Sequence, residues 1–217
     1  MAECKETGGE RIDESVEHKN DADEKPDFQF ERMVHKGEAM FKCEIDDIKR
    51  METREDDIWV CSFSRSGTTM TQEMTYLVQT LDFKTARTVY LDDRFPLLEL
   101  KDDRFPFYRG VKYADQMKSP RMIKSHLHHF LLPIQLQEGK GRIIYIARNP
   151  KDIATSFFRL MKWLGGLKDD ENTFENFVDA FVNGTGKFHC TSIMTFLAHV
   201  LILTKKSYTF LEEAHEP

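Results

Sequence analysis

Long apolar runs are missing from this sequence, and so is any crowding of cysteines. The longest apolar stretch, around Phe196–Leu203, is broken by His199 and falls well short of the roughly 18 residues that a membrane-spanning helix needs. Four cysteines (Cys4, Cys43, Cys61 and Cys190) are too scattered for a zinc spacing or a dense disulfide framework, which points to a reducing cytoplasm. The opening MAECKETGGE has no basic start and no apolar core, so it does not read as a secretory signal. An excess of positive charge is lacking as well. The net charge is −6, and residues 1–27 alone hold ten acidic and four basic side chains, which accounts for all of it. The rest of the chain is near neutral, so no basic face for nucleic acid is indicated.

What remains fits one domain. The 217 residues suffice for a single sizeable core, and 40% hydrophobic with 31% charged residues is the balance of an ordinary globular protein. Residues 1–27, almost without large apolar side chains, are expected to be a disordered acidic tail. Residues 28–217 are expected to form one α/β domain, with only weak signals for short strands or irregular segments over 28–56. IWVCSF, RMIKSH and RIIYIARN read as strands. Met70, Met74, Leu77, Val78 and Leu81 mark one stripe of a helix, expected to face the core. NPKDIATSFFRLMKWL should begin as a helix, with Asn149 as cap and Pro150 at the first helical position. Phe174, Phe177, Val178, Phe181 and Val182 form another helical stripe, stopped at Asn183-Gly184. HHFLLPIQLQ suggests a short helix near Pro133, and MTFLAHVLIL a last one. The pentapeptide DDRFP occurs at Asp92–Pro96 and again at Asp102–Pro106, where its prolines predict surface loops. Strands alternating with helices imply a mostly parallel sheet, with ligands bound beyond the carboxyl ends of its strands.

Two strand-to-helix turns of interest fall at that edge. In SFSRSGTT, Gly67 permits close approach of the backbone, Ser66, Thr68 and Thr69 add hydroxyls, and Arg65 adds a permanent cation. At a helix start, where N–H groups are free, this suits a phosphate or sulfate. The plain alternative is a turn with a Ser/Thr cap. In IARNPKDIATSFFR, Arg148 ends a strand and Ser156 lies two turns into the helix that follows. They suit a second anion, or else are a charged strand end and a serine in a helix groove. Two such turns together suggest a ligand with two separated anionic groups, such as a nucleotide phosphorylated at both ends. Between them, IKSHLHHFLLP carries Lys124, His126, His128 and His129. No carboxylate or cysteine partner sits at a zinc-like spacing. Solvated histidines are one reading. The sharper one is a general base acting on a hydroxyl, with Lys124 on the same strand face stabilising developing charge.

At these residues the chain resembles the cytosolic sulfotransferases. The family's loop Y-P-K-S-G-T-T-W is matched by Phe63–Met70, its K-T-H strand by Lys124-Ser125-His126, and its R-N-P-K-D-x-x-x-S motif without change by Arg148–Asp152 and Ser156. The resemblance runs from about Asp57 to Val182. It implies a P-loop-like, mostly parallel sheet flanked by helices. It also implies transfer of a sulfuryl group from 3′-phosphoadenosine 5′-phosphosulfate to a small alcohol, phenol or amine, leaving adenosine 3′,5′-bisphosphate and calling for no metal. By position, His126 is the implied base and Lys124 and Arg65 contact the sulfuryl group. Residues Arg65, Ser66, Gly67, Thr68, Thr69 and Met70 would hold the 5′ end, and Arg148 and Ser156 the 3′-phosphate. Three departures stand out. Arg65 replaces a lysine, Met70 replaces a base-stacking tryptophan, and no R-K-G segment, late aromatic or dimerisation motif of the family's C-terminal third is found before Pro217. The alternative to an active enzyme is therefore a weak or inactive sulfotransferase-like nucleotide-binding or regulatory protein. A P-loop kinase-like phosphotransferase is disfavoured, because G-x-x-x-x-G-K-[ST] is absent.

Overall fold

The computed structural model describes residues 32–35, 38–41, 43–101, 108–163, 167, 173–183 and 209–212. The acidic tail, the second DDRFP copy and the MTFLAHVLIL segment lie outside them. An antiparallel hairpin of β1 (Arg32–His35) and β2 (Glu38–Phe41) comes first, followed by α1 (Ile45–Arg50). The weak strand signals of this region are thus realised in part.

The centre is a parallel four-stranded sheet. β3 (Ile58–Ser62) leads into α2 (Thr68–Thr80), α3 (Phe83–Thr88), α4 (Leu91–Arg94) and α5 (Gly110–Gln116). β4 (Met122–Ser125) is followed by a single 3₁₀ turn and α6 (Ile134–Gln137), β5 (Arg142–Ala147) by α7 (Pro150–Trp163) and α8 (Phe174–Asn183), and β6 (Thr209–Glu212) closes the sheet. The strand order is β4-β3-β5-β6, with every pairing parallel. β3, an unbroken buried run, is central, as a strand covered on both faces should be. β6 was not anticipated, although its Thr-Phe-Leu run has strand character.

One core cluster gathers Trp59, Ile123, Leu131 and Leu136 with the inner faces of α7 and α8. Phe157 and Phe177 meet edge to face, Phe177 and Phe181 stack, and Phe63 at the end of β3 lies edge-on to Phe181. Burying each such ring contributes about 1.5–3 kcal/mol. A smaller cluster of Ile58, Val60, Phe95, Met122 and Ile146 fills the other face.

Two expectations are corrected. The methionine stripe of α2 is not core: Met70, Met74, Val78 and Leu81 are exposed, Val78 to 80%. The helix buries Thr68, Thr71 and Gln72 instead. The Thr68 hydroxyl turns inward to meet that of Ser62 at the end of β3, and the Thr71 hydroxyl bonds back to the Gly67 carbonyl at the start of the same helix. The first DDRFP copy is not a surface loop. Arg94 and Phe95 are buried, and Pro96 and Leu97 run beside β4, where the Lys124 N–H donates to the Pro96 carbonyl. Arg94 satisfies its burial by a two-pronged bond to Glu73 and by lying over the Tyr76 ring.

Candidate active site

β3, β4 and β5 are neighbours running in one direction, so the residues that follow them emerge at a single edge. The loop after β3 is sharply folded. Arg65 (φ 72°) and Gly67 (φ 97°) are both left-handed, with Ser66 between them, a geometry that turns successive N–H groups toward a common point. Gly67 caps α2 without a side-chain bond, leaving the first-turn donors for an outside acceptor. The Ser66 hydroxyl is buried and has no hydrogen-bond partner among the described residues. Thr68 is buried with its hydroxyl 2.5 Å from that of Ser62, whereas Thr69 and Met70 are exposed at the helix start.

After β5, the Asn149 side chain accepts from the Lys151 N–H at 3.0 Å and opens α7, as its sequence predicts. The two turns are joined directly. An Arg148 Nη1–H donates to the Arg65 carbonyl at 3.1 Å, and the Arg65 Nε–H donates to Ser156 Oγ at 3.0 Å. Arg65, expected at the sulfuryl end, thus reaches across to the helix of the second turn. The buried Arg148 Nε makes no hydrogen bond and lies 4.0 Å from Asp152. A cleft of about 530 Å³ opens here, lined by Arg65, Arg148, Asp152, Ser156, Arg159 and Trp163, among others.

His126 follows β4 at the same edge. Its Nδ1 is 2.8 Å from the Ser62 carbonyl oxygen. A carbonyl only accepts, so Nδ1 carries the proton and Nε2 keeps its lone pair. Burial first, and then the charge of Lys124, pull the imidazole down to about 3, so it is neutral at physiological pH. Lys124 is itself lowered by burial, against the pull of Asp92 and Glu99. Glu99 escaped the sequence reading. One of its carboxylate oxygens accepts from the His126 N–H at 2.7 Å and the other from the Ser125 hydroxyl at 2.9 Å. Burial raises its pKa, and these donors oppose the rise. An acidic residue inside the apolar run FPLLEL was the available signal. His128 is buried against Phe130 by stacking and is not a solvated histidine.

The arrangement has two anion-receptive turns in contact, with a neutral histidine and a lysine beside them. Residues 55–211 match the model of the sulfotransferase domain. The chain belongs to the sulfotransferase family. It is 34% identical over 140 residues to mouse Sulfotransferase 4A1, covering 64% of this chain and 47% of that protein. The firefly Photinus pyralis luciferin sulfotransferase is 35% identical over 155 residues, covering 64% of this chain and 41% of its own length. The chain therefore spans about half the length of these relatives. Among solved structures, retinol dehydratase in complex with retinol and PAP superposes with a TM-score of 0.65 at 23% identity, covering 84% of this chain and 63% of that one. Mouse sulfotransferase SULT7A1 complexed with PAP gives 0.59 at 22%, covering 84% and 61%. These likenesses establish the α/β fold. Among the described residues of this sulfotransferase-family chain, no helix is long and apolar enough to cross a membrane.

Proposed function

We propose that this chain transfers a sulfuryl group from 3′-phosphoadenosine 5′-phosphosulfate to a small hydroxyl or amine acceptor in the cytoplasm. The observation that carries the reading is the contact between the two turns, Arg148 to the Arg65 carbonyl and Arg65 to Ser156. One small molecule with an anion at each end spans such a pair. The residues present fit it: among the described residues the buried Ser66 hydroxyl and Arg148 Nε have no hydrogen-bond partner, and a bound anion would satisfy each.

The donor, when bound, supplies an electrophilic sulfur and a phosphate leaving group. The protein's own part is positional and electrostatic. The N–H groups of the Arg65–Met70 turn hold the 5′ end, and Arg148 and Ser156 the 3′-phosphate. His126 Nε2 accepts the acceptor's proton, while its Nδ1–H stays on the Ser62 carbonyl and keeps the ring oriented. Lys124 stabilises negative charge at the transferred group. Glu99 positions His126 through its backbone N–H.

Isothermal calorimetry with adenosine 3′,5′-bisphosphate, set against adenosine 5′-monophosphate, tests the donor site. Tighter binding of the bisphosphate is expected, and equal affinity would remove the 3′-phosphate assignment. Binding without turnover of any phenol or alcohol would favour the nucleotide-binding, non-catalytic alternative.

A further inference from the structure

The cleft beside α7 holds more positive charge than Arg148 supplies. Asp152, Ser156, Arg159 and Trp163 recur at helical spacing, so one stripe of α7 forms the wall, opposite the buried Ile153, Phe157 and Met161. Three arginines against one aspartate leave two net positive charges, enough to balance a phosphate monoester dianion. Two of those arginines are partly committed. Arg65 gives its Nε–H to Ser156, and Arg148 gives an Nη1–H to the Arg65 carbonyl and lies beside Asp152. Thr155 turns its hydroxyl back to the Lys151 carbonyl. Arg159 is exposed and makes no hydrogen bond or ion pair among the described residues. It lies three residues past Ser156, about 4.5 Å farther along the helix axis, within reach of an anion held at Ser156.

We propose that Arg159 is a third cation of this subsite and closes on the outer oxygens of a terminal phosphate held by Arg148 and Ser156. This rests on reading the cleft as the 3′-phosphate site. A monoester phosphate presents three oxygens, and Arg159 brings a guanidinium fork with every donor uncommitted.

Trp163 makes the test independent of turnover. The chain has two tryptophans; Trp59 is fully buried and Trp163 is 72% exposed at the cleft. Acrylamide quenching of tryptophan emission therefore reports on the cleft. Adenosine 3′,5′-bisphosphate and adenosine 5′-monophosphate are titrated against the full chain and its Arg159→Gln, Arg159→Lys and Arg148→Ala variants. Arg159→Gln should weaken the bisphosphate about tenfold or more and leave the monophosphate unchanged, with Arg159→Lys in between. Bisphosphate affinity within twofold of the parent in Arg159→Gln, alongside a clear loss in Arg148→Ala, would overturn the role of Arg159 and leave the site reading intact. Equal weakening of both nucleotides would also overturn it. A parent chain that does not distinguish the two nucleotides would overturn both.

Discussion

At the amino-terminal edge of the sheet, the buried charged groups are answered. Arg121 and Asp57 are fully buried and bonded to each other twice, at 2.8 and 2.6 Å; Arg121 also reaches the Glu52 carbonyl and Asp115. Asp57 takes the Arg54 N–H as well, and Arg54 extends to the carbonyls of Met117 and Asp115. At the carboxyl edge, among the described residues, the buried Ser66 hydroxyl and Arg148 Nε have no hydrogen-bond partner, and the exposed Arg159 lines a cleft. Saturated polar groups hold a fold together, while unsaturated ones wait for something from outside.

Breaking the saturated edge should have the largest effect. Asp57→Ala leaves a buried guanidinium without its partner and is expected to destabilise the chain by about 3–5 kcal/mol, read from urea denaturation. At the open edge, His126→Ala should reduce turnover by about a hundred- to ten-thousandfold while leaving nucleotide affinity and the denaturation midpoint near those of the parent. Unchanged turnover would take His126 out of the reaction. Arg148→Ala should weaken adenosine 3′,5′-bisphosphate about 10- to 100-fold, from the loss of a charge-assisted contact, and leave adenosine 5′-monophosphate almost unaffected in calorimetry. The last effect concerns pH. Folded His126 titrates at about 3 instead of the ordinary 6.5. Below about pH 6.5 the unfolded chain takes up a proton that the folded chain refuses. Stability is thus complete above that value and falls toward pH 3, by at most about 1.4 kcal/mol per pH unit. Denaturation midpoints across this range should decline less steeply in His126→Ala.

Much of the open edge was legible in the sequence because its signals are local. A strand, a glycine turn and a run of hydroxyls specify the first strand-to-helix turn, and Arg-Asn-Pro-Lys-Asp followed by Ser156 specifies the second. Asn149 caps α7 as its position demands. What escaped depends on contacts between distant segments. Glu99 meets His126 across 27 residues, and Arg121 meets Asp57 across 64. The helical period of Met70, Met74, Leu77, Val78 and Leu81 was real, but periodicity gives a stripe and not the direction it faces. The side of α2 that is buried carries Thr68, Thr71 and Gln72, with the Thr68 hydroxyl on that of Ser62. The prolines of the first DDRFP copy misled for a related reason: Pro96 has no N–H to give, but its carbonyl still accepts from Lys124.

Arg65 belongs to both cradles at once: its carbonyl anchors Arg148 and its guanidinium anchors Ser156. If a ligand at one end of the crevice shifts or stiffens that residue, the other end inherits the change. Linkage would then work in both directions, and the affinity for one charged terminus would depend on whether the other is already filled, by the same factor each way. A molecule carrying both termini would meet a single coupled receptor rather than two separate ones.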